Sequence, residues 1–375
     1  MARHDDVMRW TMRTAGVIAV AAILAFADTP SAEQAASADQ QFHDSHFHLT
    51  NYIQQGITAQ RFLEIMGARV GRSTLFGIPL QQQWSYANSG DYAPTYYLQS
   101  DAPLYYYSFT DAFIASAYRA LPREQQARFD PMITGFNPAD MYAADHIRRV
   151  LTTFPGVFTG IGEFSIHKEF VSAKVSGETA SLTNPALDRI LEFAAESGLV
   201  VILHNDIDMP MAKPDTEPVY LAQTKALLRR HTKTTIIWAH TGLGRVVHPA
   251  QASVGAAERA PTHVEIVEAI LADPSLSHVS FDISWDEVAK YAVSSPDVVA
   301  RVAQMLNRFP DRFLFGTDTV APAGSDPYYA VFELWAPVWR QLTPEASHKV
   351  RKGNYERIFD EGRRRVRAWE AANVK

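Results

Sequence analysis

The sequence contains no cysteine. Disulfide frameworks and thiolate chemistry are therefore excluded, and any bound metal must be held by histidine, aspartate and glutamate. The absence of disulfides is compatible with an exported protein, because a chain of 375 residues is long enough to bury its own hydrophobic core.

An excess of positive charge is also missing. The chain has 35 Lys and Arg against 41 Asp and Glu, which gives a formal net charge of −6. Binding to nucleic acid depends on clustered Lys and Arg. The composition therefore gives no reason to expect a nucleic acid partner, and the substrate is expected to be a small molecule.

The hydrophobic run near the start, Ala15–Ala27, is too short to span a bilayer, with about 13 residues against the roughly 20 that a transmembrane helix needs. It follows Arg9 and Arg13 and ends in small residues, as secretory signal peptides do. We expect a signal peptide over residues 1–27 and a flexible segment over residues 28–41. The mature protein would be periplasmic or secreted, without a stable membrane anchor; a retained anchor is the alternative.

No linker, low-complexity tract or short repeat follows the leader, so residues 42–375 are predicted to form one domain. A short β-prone segment followed by a helical pattern recurs eight times. The predicted strands are 42–49, 73–78, 131–136, 157–163, 199–204, 234–240, 278–284 and 312–318. This alternation predicts an α/β fold, a (β/α)8 TIM barrel. A doubly wound open sheet is the alternative.

Helical patterns lie between these strands, at 59–70, 184–198, 263–273 and 296–309. The second has the clearest ends. Asn184 is the predicted N-cap, Pro185 lies in the first turn, and Gly198 marks the end.

Ionisable side chains occur at the ends of five predicted strands: His46 and His48, Glu163, His204, His240, and Asp318. The carboxyl ends of all strands in a parallel barrel converge on one face, where catalytic groups lie. An open sheet would spread the same ends along a line. We therefore expect these six side chains to meet.

The first strand also obeys β-strand parity. His46 and His48 share the inward face, whereas Phe47 points outward to the helices. Asp44 has the inward parity one layer deeper, and His43 has the opposite parity and is excluded.

Each ligand candidate has a structural explanation when it is considered alone. His204 could be a hydrogen-bonded core residue, Glu163 a buried ion-pair partner and Asp318 a turn or cap residue. The ordered set of His, Glu and Asp at five strand ends favours a metal centre.

The segments HDSHFHL, GIGEF, VILHND, IWAHTG and FGTDT, in this order, resemble the amidohydrolase superfamily of metal-dependent barrels. Residues 349–360, KVRKGNYERIFD, resemble the closing helix of its amidohydrolase-related branch. Glu163 resembles the bridging glutamate of TatD-like members, although the following SIHKEF departs from their pattern.

This resemblance implies two divalent metal ions. His46, His48 and Asp318 would hold one, His204 and His240 the other, and Glu163 would bridge them. Mixed imidazole and carboxylate ligands suit Zn²⁺, and Mn²⁺, Fe²⁺ or Ni²⁺ are also compatible.

The expected reaction is hydrolysis of a carboxylic amide, ester or lactone by metal-activated water, with Asp318 as the catalytic proton acceptor. The alternatives are a mononuclear decarboxylase or hydratase of the same superfamily, and a phosphoester hydrolase.

Substrate contacts are expected from loops that follow the strands. The aromatic segment 81–109 contains Trp84 and Tyr105, and it could instead be a lid or a subunit contact in a homo-oligomer. His167, Lys168 and Arg245 are cationic candidates for an acidic substrate group, or surface ion-pair residues.

Overall fold

The computed structural model describes residues 41–51, 54–78, 80–82, 104–106, 109–168, 180–209, 216–244 and 261–374, with only the backbone described for 80–82 and 104–106. These ranges contain strands β1 Phe42–Asp44, β2 Phe47–His48, β3 Val70–Leu75, β4 Leu80–Gln82, β5 Leu104–Tyr106, β6 Phe129–Ile133, β7 Gly160–Ser165, β8 Val200–His204, β9 Ile236–Trp238, β10 Val279–Asp282, β11 Phe313–Leu314 and β12 Thr319–Val320.

The helices in the same ranges are α1 Ala59–Met66, α2 Phe109–Arg119, α3 Arg123–Gln126, α4 Ala143–Thr153, α5 Pro185–Ser197, α6 Leu221–Arg230, α7 His263–Leu271, α8 Asp286–Ala292, α9 Pro296–Arg308, α10 Ser325–Leu334, α11 Ala336–Trp339, α12 Pro344–His348 and α13 Asn354–Asn373. Single turns of 3₁₀ helix lie at Ala239–Gly242, Pro274–Leu276 and Pro310–Arg312, and Lys349–Gly353 is a π-helical turn before α13. None of the described helices is both long and apolar enough to cross a membrane.

Eight parallel strands form one sheet in the order β1, β3, β6, β7, β8, β9, β10, β11. The first and last strands are joined next to this sheet, because β12 pairs in parallel with β2. Ser45 N also donates to Phe315 O at 3.0 Å, and Asp318 N donates to His46 O at 2.8 Å. The predicted (β/α)8 barrel is confirmed, and these contacts exclude the open sheet.

The structure differs from the predicted strands mainly at the two ends of the barrel sequence. The predicted strand 42–49 is broken into β1 and β2 between Asp44 and Phe47. Strand β11 contains only Phe313 and Leu314, because the chain then turns towards β12. The predicted leader, residues 1–27, lies outside the described residues, so export stays a prediction.

Helix α5 confirms the end signals in its sequence. The Asn184 side chain accepts a hydrogen bond from Ala186 N, and Pro185 is the first helical residue. Gly198 ends the helix with a φ of +80°, a conformation that glycine adopts without steric cost. This helix covers the outside of the barrel between β7 and β8.

The inside of the barrel is filled by apolar side chains from β6, β8, β9 and β11 and from α13. These are Met132, Val200, Ile202, Ile237 and Leu314, together with Tyr355, Ile358 and Phe359 of α13. Helix α13 is anchored by Asn354, whose Nδ2 donates to Phe313 O at 2.8 Å. The barrel is therefore a packed core, and polar chemistry is confined to its two ends.

Candidate metal centre

The structure brings all six predicted ligand residues together at the carboxyl ends of the barrel strands. His46, in the break between β1 and β2, and His48 of β2 point to the same place, with ring centroids 5.3 Å apart. Phe47 points the other way and stacks on Phe62 of α1 with a centroid distance of 3.4 Å. The predicted opposite directions of Phe47 and the two histidines are therefore confirmed, although the strand is interrupted at His46.

Glu163 of β7 lies between two pairs of histidines. Its Oε2 is 3.8 Å from His46 Nε2 and 3.5 Å from His48 Nε2. Its Oε1 is 3.4 Å from His240 Nε2 and in hydrogen-bond contact with His204 Nδ1. Each oxygen of this carboxylate thus faces a different pair.

Asp318 completes the cluster from the loop between β11 and β12. Its Oδ1 is 3.1 Å from His48 Nε2 and 3.3 Å from His46 Nε2. Its Oδ2 is 4.0 Å from His240 Nε2. Donor atoms within metal-binding distance of one another form three groups in the described part of the chain: His46 with His48 and Glu163, Glu163 with His204 and His240, and His46 with His240 and Asp282.

Three buried ring nitrogens in this cluster lack a hydrogen-bond partner among the described residues, namely Nδ1 of His48 and Nε2 of His46 and His240. His46 is fully buried and His240 is 1% exposed, and the Nε2 atoms of both have no hydrogen-bond partner within the described ranges. Buried polar atoms in native proteins are nearly always hydrogen-bonded. Unpartnered imidazole nitrogens that face carboxylates are the arrangement expected of metal ligands, so the residues present fit a divalent cation.

The outer nitrogens of three of these histidines do have partners. His46 Nδ1 lies 3.0 Å from Asp282 Oδ2, His204 Nε2 lies 3.0 Å from Asp206 Oδ1, and His240 Nδ1 lies 2.9 Å from Ser284 Oγ. An imidazole that donates outward keeps its lone pair on the inner nitrogen, where a metal binds. Three acceptors outside the cluster therefore fix the tautomers needed for ligation.

These acceptors were missed by the sequence reasoning. Asp282 ends β10, the seventh strand of the barrel, and this position resembles the other strand ends that the prediction used. Asp206 follows His204 by two residues and therefore has the same parity on that strand. Ser284 has no comparable signal in the sequence.

Electrostatics keep both carboxylates of the centre ionised. Burial raises the pKa of Glu163, but the charges of Lys168 and His204 outweigh burial and hold it well below the usual range. Burial also raises the pKa of Asp318, but His46 and His240 outweigh it and the pKa is lowered. The centre therefore holds negative charge that a cation can balance.

The backbone around the centre is strained. His240 has a φ of 55°, Thr241 of 55°, Trp285 of 82° and Asp318 of 54°. Residues with side chains are rarely found in this region, and such strain is concentrated at functional sites. All four follow the ends of β9, β10 or β11, so the strain coincides with the ligand cluster.

Glycine is required directly before Glu163. Gly162 has a φ of +108°, and a Cβ atom there would lie 2.1 Å from Ile202 O of β8. Only a residue without a side chain lets β7 approach β8 this closely. The glycine of the GIGEF segment thus places the Glu163 carboxylate.

Among the predicted substrate residues, the structure places Lys168 at the centre. Its Nζ lies 3.3 Å from Glu163 Oε1 and 3.4 Å from Oε2. The His167 ring stacks on Tyr220 at 3.7 Å. Trp84 and Arg245 lie outside the described residues, and only the backbone of Tyr105 is described, in β5.

His43 and Asp44 have structural contacts. His43 Nε2 lies 2.9 Å from Glu356 Oε1 of α13, away from the centre. Asp44 accepts hydrogen bonds from Thr317 Oγ1 at 2.8 Å and Tyr328 Oη at 2.9 Å, and burial raises its pKa to about 6. Asp44 thus ties the first strand to the segment that carries Asp318. The predicted inward direction of Asp44 is wrong, because its partner Tyr328 also packs on the outward-facing Phe47. The break after Asp44 changes the alternation of side chains between β1 and β2.

Comparison with solved structures finds similar chains at low sequence identity. A putative 2-pyrone-4,6-dicarboxylic acid hydrolase from Pseudomonas putida is 14% identical, with 86% of this chain and 98% of that chain covered and a TM-score of 0.48. A zinc-bound amidohydrolase from Burkholderia multivorans is 15% identical, with 85% and 99% covered and a TM-score of 0.48. A dihydroorotase from Campylobacter jejuni is 12% identical, with 86% and 83% covered and a TM-score of 0.49.

These similarities carry no argument about the substrate. Comparison with curated protein sequences finds no match. The decisive comparison is with protein families, in which the amidohydrolase model matches residues 43–360 and so covers both strand ends that carry the outermost ligands. The chain therefore belongs to the amidohydrolase family of hydrolytic enzymes.

Proposed function

We propose that this chain is a metal-dependent hydrolase that uses two divalent cations and cleaves a carboxylic amide, ester or lactone. The observation that carries the proposal is the position of Glu163, whose two oxygens face two separate pairs of histidines. A carboxylate can bridge two cations, whereas a neutral imidazole normally ligates one.

His46, His48 and Asp318 would hold one cation, His204 and His240 the other, and Glu163 would bridge them. Nitrogen and oxygen ligands without sulfur suit Zn²⁺, with Mn²⁺, Fe²⁺ and Ni²⁺ also compatible. When bound, such cations activate water as a nucleophile and polarise the bond that it attacks.

The protein's own groups prepare proton transfer. Because the pKa of Asp318 is lowered, its carboxylate is ionised and can accept a proton at the reaction centre. Asp318 is 12% exposed at its side chain, so it faces the open side of the cluster, whereas His46 is fully buried. It can therefore pass the proton to the leaving group of a substrate that enters from the side of the loops.

Lys168 has a second role in this proposal. Its ammonium contacts both Glu163 oxygens and balances the charge of that buried carboxylate. Cations bound by Glu163 would repel the ammonium, which would then be available to an anionic group of the substrate. Lys168 thus stays a proposed substrate-binding residue.

A substrate panel tests the reaction class. The zinc-loaded protein is assayed on an ester, a lactone, an amide and a phosphoester, and CO₂ release from aromatic acids is measured in parallel. Turnover of one of the first three supports the proposal. Phosphoester cleavage or CO₂ release without hydrolysis of the other three replaces it with the corresponding alternative.

The Asp318→Asn variant tests the proton acceptor. We expect turnover on the best substrate of the panel to fall by about 10²- to 10⁴-fold, because the amide cannot accept the proton. Zinc content should fall far less. Asp326→Asn, at an exposed position in α10, is the matched control and should keep the parent rate. Parent-rate hydrolysis by Asp318→Asn contradicts this role.

A further inference from the structure

Trp285 borders the metal centre from the end of the seventh barrel strand. Its ring centroid lies 5.3 Å from that of His240, with 57° between the ring planes. It directly follows Ser284, whose Oγ contacts His240 Nδ1 at 2.9 Å. The indole is therefore held beside a predicted ligand by a chain segment that also orients this ligand.

The backbone of Trp285 is strained. Its φ of 82° and ψ of 138° lie outside the regions that residues with side chains favour. It is also the N-cap residue of α8, yet its side chain makes no capping hydrogen bond. A strained backbone persists only where the surrounding structure holds it, and such residues are concentrated at functional sites.

Phe76 provides a comparison within the same site. Its ring lies 5.3 Å from His46 and 4.7 Å from His48, and it is completely buried. Trp285 is only half-buried. Both aromatic rings flank histidines, but Trp285 keeps surface that an incoming molecule can contact.

Exposed apolar side chains lie on the face of the barrel that carries the centre. In the described part of the chain, the large hydrophobic side chains that are exposed all follow the carboxyl end of a barrel strand, in the connecting segment or the first turns of the next helix. They are Phe109, Phe113, Met141, Tyr142, Met209, Val219 and Val320. Apolar surface is therefore present on the same face as the centre, which is compatible with an apolar substrate body.

We propose that Trp285 is a specificity-determining residue whose indole lines the substrate site and selects substrates with a planar, apolar group. Aromatic rings stack on flat groups with a gain beyond the buried area alone. The identity of the cleaved bond rests on the proposed function, whereas recognition of the flat group does not.

Ligand binding tests this role without turnover. The zinc-loaded full chain is titrated calorimetrically with benzoate and with acetate, two carboxylates that differ in the planar ring. We expect the parent to bind benzoate about tenfold more tightly than acetate, the size of effect that a pocket contact gives. Trp285→Ala should reduce this preference to about twofold or less, and Trp285→Phe should keep most of it.

The control is Trp339→Ala, at another half-buried tryptophan that packs on Phe332 and Phe315 away from the centre. It should keep the parent preference. Trp285→Leu removes the flat ring while it keeps apolar bulk, and it replaces Trp285→Ala if that variant does not fold.

Three results overturn the proposal: a parent without the preference, a preference that survives in Trp285→Ala or Trp285→Leu, and loss of zinc from these variants, which would give Trp285 only a supporting role for His240. Failure of the two proposals can be distinguished. A parent that hydrolyses nothing in the panel but keeps the Trp285-dependent preference contradicts only the proposed function.

Discussion

Two buried charged clusters lie at opposite ends of the barrel, and they are completed in different ways. At the amino ends of the strands, Asp130 of β6 is fully paired. Its Oδ1 accepts from Arg363 at 2.7 Å and Thr159 at 3.3 Å, and its Oδ2 accepts from Arg72 at 2.7 Å and Tyr355 at 2.9 Å. At the carboxyl ends, the Nε2 atoms of His46 and His240 have no hydrogen-bond partner in the described part of the chain.

The difference is the one expected between a cluster that serves only the fold and a cluster that binds a metal. Burial raises the pKa of Asp130, but Arg72 and Arg363 outweigh it and lower the pKa, so the charge is balanced within the fold. The cluster at the carboxyl ends instead contains ring nitrogens without a hydrogen-bond partner in the described part of the chain. The backbone around it is also strained. Such features are expected where binding of a ligand completes the site.

The largest effect on stability should come from a substitution in the cluster around Asp130, at the amino ends of the strands. Asp130→Ala leaves the buried guanidinium of Arg72 without its main partner, and we expect a loss of about 3 kcal/mol in the free energy of unfolding. Asp360, which is 60% exposed, contacts the same guanidinium. Asp360→Ala is therefore a matched control, with an expected loss of less than about 1 kcal/mol. Urea unfolding at neutral pH measures both values.

The same variants make a prediction about pH. A carboxylate whose pKa is lowered on folding stabilises the protein above its ordinary pKa, and this contribution disappears as the pH falls through the folded-state value. The difference between parent and Asp130→Ala should therefore shrink on acidification. Equal losses for the Asp130 and Asp360 variants at neutral pH would contradict the distinction between buried and exposed pairs.

A smaller effect, on zinc affinity, is expected from Asp282→Asn in the cluster at the carboxyl ends. The variant weakens the acceptor that holds His46 Nδ1, and zinc affinity should fall by about 10- to 100-fold. Competition with a chelator of known affinity measures the change. Asp286→Asn, four residues along at a 43% exposed side chain, is the control. Unchanged affinity in Asp282→Asn would show that Asp282 belongs to the structural class of Asp130.

The sequence predicted the parts of this comparison that depend on topology. Eight strands at regular intervals imply a barrel, and a barrel brings its strand ends together, so the meeting of His46, Glu163 and Asp318 required no side-chain detail. The capping residues of α5 were predictable for a similar reason, since Asn184 and Gly198 act on their own backbone.

The remaining features depend on side-chain direction and on backbone angles that no local pattern encodes. Three of the predicted ligand histidines are contacted by side chains that lie elsewhere in the sequence, namely Asp282, Ser284 and Asp206. Only the three-dimensional packing shows which ring nitrogen each of them contacts. Lys168 was predicted to bind substrate, but its contact with Glu163 was not. Trp285 was overlooked because its position depends on an unusual φ angle.

The most direct test of the account is the number of zinc ions per chain, measured by elemental analysis after loading and gel filtration. We expect about two zinc ions per chain in the parent. The number should fall markedly in Glu163→Ala, because the bridging carboxylate is lost. Glu356→Ala, which removes the partner of His43 outside the centre, should leave the count unchanged. A count near one that Glu163→Ala does not change, or no bound zinc at all, would contradict it.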